Sequence, residues 1–533
     1  MMKRKIGIFL TLVLLMHSPA ITQPWIPDLG TGKYKNPIIY ADYSDPDVIR
    51  VGDDFYMTAS SFNCFPALPI LHSKDLVNWK IINHAIDTFP DKDFDIPQHG
   101  NGVWAPSIRY HNGEFWIFYG DPDRGIFMVK TKDINGTWEP PVLVKKAKGW
   151  IDPCPLWDYD GNAYLVHAFA RSRAGIKSIL HVNKLSADGT QLLDEGELVF
   201  DGHENHPTIE GPKFYKRNGY YYIFAPAGGV RSGWQTILRS KNIYGPYQDK
   251  IVLAQGNTSI NGPHQGGYIE LENGEGWFVH FQDRGAYGRI VHLQPVVWKD
   301  NWPIMGNDQD GDGSGEPLMV FTKPDVGRSY PVSVPQTSDD FNSVRLGLQW
   351  QWHANYKTSW FSLTEKEGSL RLYSQNLPDD SKNLWQAPNL LLQKFPAPQF
   401  TVTTRIIFRG KVQAEKSGLI VMGMDYAYLA LNYEQNGVEL VQVRCLTADE
   451  GSNEEIEQRA LIDSDSLYLR VIVEQAALCT FSYSIDGENF KQMGKSFLAK
   501  AGKWIGAKVG LFAVAPGTSK TAGYADFDFF RIE

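Results

Sequence analysis

The sequence predicts an all-β protein in two parts, a five-bladed β-propeller followed by a β-sandwich. Three observations predict it. One phrase occurs five times between Asp45 and Trp277: a polar residue, a short apolar strand, a glycine-bearing turn and an aromatic-rich strand. Long helical periodicity is absent throughout. Beyond a Pro/Ser/Thr-rich stretch from Pro324 to Ser338 the phrase stops, and short strands without it take over.

The phrase is clearest from Glu210-Gly211-Pro212 through Lys213–Arg217, an Asn218-Gly219 turn and Tyr220–Phe224, a hairpin signature. Its leading residues are Asp45, Trp104, Asp152, Glu210 and His264. They recur at roughly 50–60 positions, a period that fits propeller blades. Ser73-Lys74-Asp75-Leu76, Thr131-Lys132-Asp133-Ile134 and Ser240-Lys241-Asn242-Ile243 are cognate blade endings. Tyr287–Trp298 reads as the last propeller strand. The acidic run from Asn307 to Glu316 resembles a calcium loop, but Met319 stands where an EF-hand needs Glu, so it reads as a solvated turn.

In the second part, strands are expected at Gln399–Phe408, Ser417–Met424, Ala427–Tyr433, Leu467–Glu474, Cys479–Ile485 and Val509–Val514. Their length and spacing suggest two packed sheets. Asp526 and Asp528 near its end, with Asp340 near its start, read as solvated acids, with a structural Ca²⁺ as the other reading. The expected division is a leader at 1–22, the propeller at 23–323, a linker at 324–338 and the sandwich at 339–533.

A chain of 533 residues exceeds what one core usually fills. The net charge of −8 argues against a nucleic-acid binder and leaves no polybasic membrane patch. Lys3, Arg4 and Lys5, the apolar run Ile6–Met16 and Ser18-Pro19-Ala20 form an export signal too short to span a bilayer. The expected address is therefore secreted or periplasmic, with no membrane span. Cys64, Cys154, Cys445 and Cys479 lack zinc-site spacing. Either a Cys445–Cys479 disulfide or burial as free thiols is compatible with their positions. No signal for an oligomeric state is present.

Inner strands of a propeller line one channel, so the five leading residues should converge on one axis. A single acid there reads equally well as a strand-edge cap. Three are costly to hold close unless they are used. Two carboxylates across a pocket, tuned by a third, are the equipment of glycoside hydrolysis. One stays protonated to donate to the leaving oxygen, and the other stays ionised to deprotonate water. Blades 1 and 4 of five sit nearly opposite, so Asp45 and Glu210 can flank a bond with water between them. That geometry favours inversion.

At these residues the chain resembles glycoside hydrolase family 43. The matching pieces are Asn36-Pro37-Ile38, Ser44-Asp45-Pro46-Asp47, Trp104-Ala105-Pro106-Ser107, Ile151-Asp152-Pro153, Glu210-Gly211-Pro212 and Tyr287-Gly288-Arg289. The resemblance implies a five-bladed propeller joined to a concanavalin-like jelly roll. It implies Asp45 as general base, Glu210 as general acid, and Asp152 as the residue that orients and tunes Glu210. Phe62 and Trp104 would be sugar-pocket aromatics, Arg289 a hydroxyl binder, and His264 the axial histidine that meets an ion or water. The chain departs from the pattern at Gln265 after His264 and at Cys154-Pro155 after Asp152-Pro153. The chemistry implied needs no cofactor. The implied activity is exo-acting β-xylosidase on xylo-oligosaccharides or arabinoxylan, with α-L-arabinofuranosidase as the near alternative. A non-catalytic carbohydrate-binding protein is the reading of another class, which has no need of all three acids together.

Overall fold

The computed structural model describes residues 23–379, 381–464, 466–517 and 522–533, so the leader read at 1–22 lies outside the described residues. Five four-stranded antiparallel sheets, each of consecutive strands, form the blades. Their inner strands are Asp47–Val51, Trp104–His111, Trp150–Trp157, Lys213–Arg217 and His264–Glu270. Asn218 and Gly219 take φ of 50° and 74°, and Asn112 and Gly113 take 50° and 79°. These left-handed pairs match the twist of the strands they join, which is why Asn-Gly marks the hairpins.

The ring closes where the chain before blade 1 zips onto the Arg289–Lys299 strand of blade 5. Asn36 does most of this. Its side-chain amide donates to Leu293 O (2.9 Å) and Leu318 O (2.7 Å), and its oxygen accepts from Leu293 N at 2.9 Å. Ile39 and Val291 form an isolated antiparallel bridge beside it.

The structure corrects the phase of the repeat. Asp45 (φ 53°), Ala105 (36°), Asp152 (57°), Gly211 (60°) and Gln265 (32°) share a left-handed backbone where each inner strand begins. Four of them directly precede proline. Asp45 and Asp152 occupy this position, whereas Trp104, Glu210 and His264 stand one residue earlier. Left-handed φ is strained for a non-glycine residue and is further restricted before proline, so the surroundings must hold it.

Much of that hold lies across the channel. The Arg109 guanidinium donates to Asp47 Oδ2 (2.7 Å) in blade 1 and to Cys154 Sγ (2.8 Å) in blade 3, and lies over the Tyr215 ring of blade 4 at 5.2 Å. Tyr215 Oη in turn accepts from Tyr268 N (2.9 Å) in blade 5. Cys154, a departure from the family pattern, thus serves as an acceptor in this network.

The sandwich consists of two eight-stranded sheets. The expected strands appear as Phe400–Arg409, Glu415–Met422, Tyr426–Glu434, Ser466–Val473, Leu478–Ser484 and Lys508–Ala515. The sequence reading omitted Gly437–Cys445 and the polar edge strand Glu455–Leu461. All four cysteines are buried free thiols, and Cys445 and Cys479 belong to different apolar clusters.

The acids considered for calcium are instead matched to cations of the chain. Asp340 pairs with Arg531 (3.0 Å), Asp526 with Arg371 (2.7 Å), and Asp528 with Lys366 (3.0 Å) and Arg405 (2.5 Å).

The 324–338 stretch is laid along the outer strand of blade 1. Ser333 N donates to Asn78 Oδ1 (3.1 Å), and Gln336 exchanges hydrogen bonds with the Ile81 backbone (3.2 and 3.3 Å). The propeller's Tyr40, Tyr287 and Ile290 are buried in the same apolar cluster as the sandwich core. Phe65 and Trp352 exchange backbone hydrogen bonds (3.1 and 2.6 Å), and Asn355 does the same with Phe89 through its side chain (both 2.8 Å). A chain cut after Thr337 would expose this surface, so it should be insoluble or fail to fold. A soluble fragment with a cooperative thermal transition in expression and unfolding assays would refute the shared core.

Candidate active site

Asp45 is buried and gripped at both oxygens. Oδ1 accepts from Arg289 Nη1 at 2.8 Å and Oδ2 from Ser60 Oγ at 2.6 Å. Ser60 Oγ itself accepts from Ala105 N at 2.7 Å, which leaves its only proton for Asp45. Arg289 is tied in place by its own N–H to Asp42 Oδ1 at 2.9 Å.

Asp152 Oδ2 accepts from Gly211 N at 2.7 Å, the amide directly after Glu210. The second acid is thereby anchored to the backbone that carries the third. A side chain at Gly211 would add strain, because its φ is 60° and a Cβ would lie 2.6 Å from the Gln265 side chain, which would have to move. Burial, and next the neighbouring Glu210 carboxyl, push Asp152 well above the ordinary carboxylate range. Glu210 is the more open of the two, with its side chain 28% exposed. Its Oε1 lies 3.2 Å from His264 Nε2, while His264 Nδ1 is buried without a protein partner. Among the described residues the one group of three metal-ligating side chains is Asp308, Asp310 and Asp312 in the acidic turn. Their oxygens accept from backbone amides of that turn, including Gly311 N (3.0 Å) and Ser314 N (2.7 Å).

Phe62 and Trp104 stand edge to face, ring centroids 6.2 Å apart. Trp104 meets Trp504 of the sandwich at the same separation. Trp504 is 53% exposed and has a left-handed φ of 65°. Arg289 and Trp504 line one cavity of about 330 Å³. All seven residues named from the sequence therefore gather at this end of the channel. Ser60 and Trp504 escaped sequence reasoning: Ser60 lies within an unremarkable Ala-Ser-Ser-Phe run, and Trp504 is remote in the chain.

Residues 34–303 match the family model of glycosyl hydrolases family 43. The chain belongs to this family. Residues 338–533 match the beta xylosidase C-terminal concanavalin A-like domain. Over 92% of this chain and 88% of its own length, a protein of Xylanibacter ruminicola named "Putative beta-xylosidase" is 41% identical. A non-reducing end alpha-L-arabinofuranosidase of Bacteroides ovatus is 29% identical over 95% of this chain and 96% of its own. The solved GH43 BlXynB protein from Bacillus licheniformis superposes with a TM-score of 0.79 at 28% identity, covering 94% of this chain and 99% of that one. This family 43 member is thus a glycoside hydrolase with the propeller-and-sandwich fold the sequence led us to expect, and the non-catalytic reading falls.

Ser60→Ala should remove the donor that holds the Asp45 carboxylate. With the carboxylate no longer oriented at Oδ2, kcat should fall on the order of tenfold, the size of a lost hydrogen bond to a charge, with KM little changed. Ser60→Thr should restore kcat. An unchanged kcat in Ser60→Ala would leave Ser60 with packing alone.

Proposed function

We propose that the enzyme is an exo-acting β-xylosidase that releases xylose from non-reducing ends of β-1,4-xylo-oligosaccharides with inversion. The observation that carries the proposal is the wall of Phe62, Trp104 and Trp504 beside the three acids. A ring contributed by the sandwich turns a groove across the propeller into a pocket suited to a chain end. The Xylanibacter relative's name and the xylosidase-type sandwich support the substrate.

In this reading Asp45, held at both oxygens by Ser60 and Arg289, takes a proton from water as it attacks the anomeric carbon. Glu210 protonates the departing oxygen. Asp152, pushed upward by burial and by the neighbouring Glu210 carboxyl, is bound to the amide after Glu210 and orients it. Glu210, more open than Asp152, is the member placed to reach the departing oxygen. Carboxyls from blades 1 and 4 leave room for water, about 6.5–9.5 Å apart in inverting enzymes. Phe62 and Trp104 stack on the sugar, Arg289 also binds a hydroxyl, and His264 orients Glu210.

An α-L-arabinofuranosidase is the second reading, favoured by the Bacteroides relative, because a pentofuranose of similar outline could use the same acids. Paired nitrophenyl β-xyloside and α-L-arabinofuranoside assays, then xylobiose, separate the two. The leader supports action outside the cytoplasm, and among the described residues no helix is long and apolar enough to cross a membrane.

Leaving groups should separate the acids. Glu210→Ala should lose little on a dinitrophenyl xyloside and several orders of magnitude on xylobiose, while Asp45→Ala should be nearly dead on both. Exchange of these patterns would swap the roles. Asp152→Ala should fall between the two, with an altered pH profile, because the carboxyl that burial and the Glu210 neighbour push upward is gone. Proton NMR of the first-formed sugar should show α-xylose, and initial β-xylose would rule out inversion.

A further inference from the structure

The chain is acidic overall, yet the mouth of this pocket is not. Arg231 and Lys503 are exposed and line the same cavity as Arg289 and Trp504. Neither has an ion-pair partner among the described residues. Arg173, beside the Trp104 ring at 5.7 Å, is by contrast paired with Asp123 (3.4 Å) and bound to Asn101 Oδ1 (2.7 Å). One acid, Asp283, shares the wall, and its Oδ1 accepts from Gly285 N at 3.1 Å.

Charge is therefore graded along the entry. Asp45 and the Asp152–Glu210 pair make the floor negative, and two cations without ion-pair partners, Arg231 and Lys503, make the rim positive. A neutral pentose end is the part that can descend, whereas a carboxylate on the departing part is repelled by the floor and attracted by the rim. A site that met neutral chains alone would gain nothing from unpaired cations at this height. We propose that the rim is a subsite for an anionic leaving portion, a xylo-oligosaccharide bearing a uronic acid beyond the residue being released. This rests on the β-xylosidase reading above and extends it to the decoration of the chain.

The test uses the full chain and three substrates. They are xylotetraose, the same oligosaccharide with glucuronic acid on the third xylose from the non-reducing end, and the methyl ester of that acid. Xylose release should favour the free acid by roughly three- to tenfold in kcat/KM, the scale of two exposed ion pairs. The ester should behave as xylotetraose does. The preference should vanish near 1 M salt, where the screening length falls to about 3 Å. Arg231→Ser with Lys503→Ser should erase the preference and leave xylotetraose turnover unchanged. Equal rates for acid and ester, a preference that survives the double variant, or a double variant slow on xylotetraose would each overturn the subsite. No xylose from any of the three would instead overturn the β-xylosidase reading.

Discussion

The Arg109 guanidinium is the interaction on which the propeller depends most. Five sheets around an axis share no backbone ladder there, so side chains must fix how their inner strands sit relative to one another. Arg109 does this from one position, through Asp47, Cys154 and the Tyr215 ring, and Tyr215 passes the restraint to blade 5. Asp47 adds a second link by accepting from Ile108 N at 2.9 Å. Taking one partner from a buried pair of this kind typically costs about 3–5 kcal/mol, because the other is left charged and dry. The value of the pair lies less in net stability than in fixing the phase of five strands.

That phase is what the active site uses. A left-handed residue begins each inner strand, and in blades 1 and 3 that residue is itself an acid. In blades 2, 4 and 5 the functional side chain comes one position earlier, so a fivefold-related backbone presents two kinds of position to one axis. The asymmetry suits the chemistry. Asp45 is held by side chains at both oxygens, while Asp152 is held by the amide after Glu210.

The sandwich enters the same logic as a lid that does not move independently. Its core takes in Tyr40, Tyr287 and Ile290 of the propeller, and Gly506 N donates to Asp42 Oδ2 at 2.9 Å, two residues from Trp504. Asp42 Oδ1 accepts from Arg289 N, so one carboxylate positions both the arginine of the site and the loop that walls it. The 324–338 stretch, which composition marks as a linker, lies along blade 1 for the same reason: two units with a common core leave little freedom to what joins them.

Phe62 and Arg289 were named only through the family resemblance; by itself the sequence determined the fold class, the five blades, the Asn-Gly hairpins, six sandwich strands to within two residues, and the five leading residues Asp45, Trp104, Asp152, Glu210 and His264. All of these rest on short-range patterns, period two in strands, φ-tolerant residues in turns, and one phrase repeated at a fixed interval. Even the one-residue offset was written there, in the prolines after Asp45, Ala105, Asp152 and Gly211, although the leading residues drew the eye away from it. Tertiary structure alone decided the partners. Ser60 against Asp45, Arg109 against Cys154, Trp504 against Trp104, and the arginines that claim Asp526 and Asp528 join residues from 15 to 400 positions apart. Local propensity carries no trace of such pairs, because their geometry exists only once separate strands have been packed around a common axis.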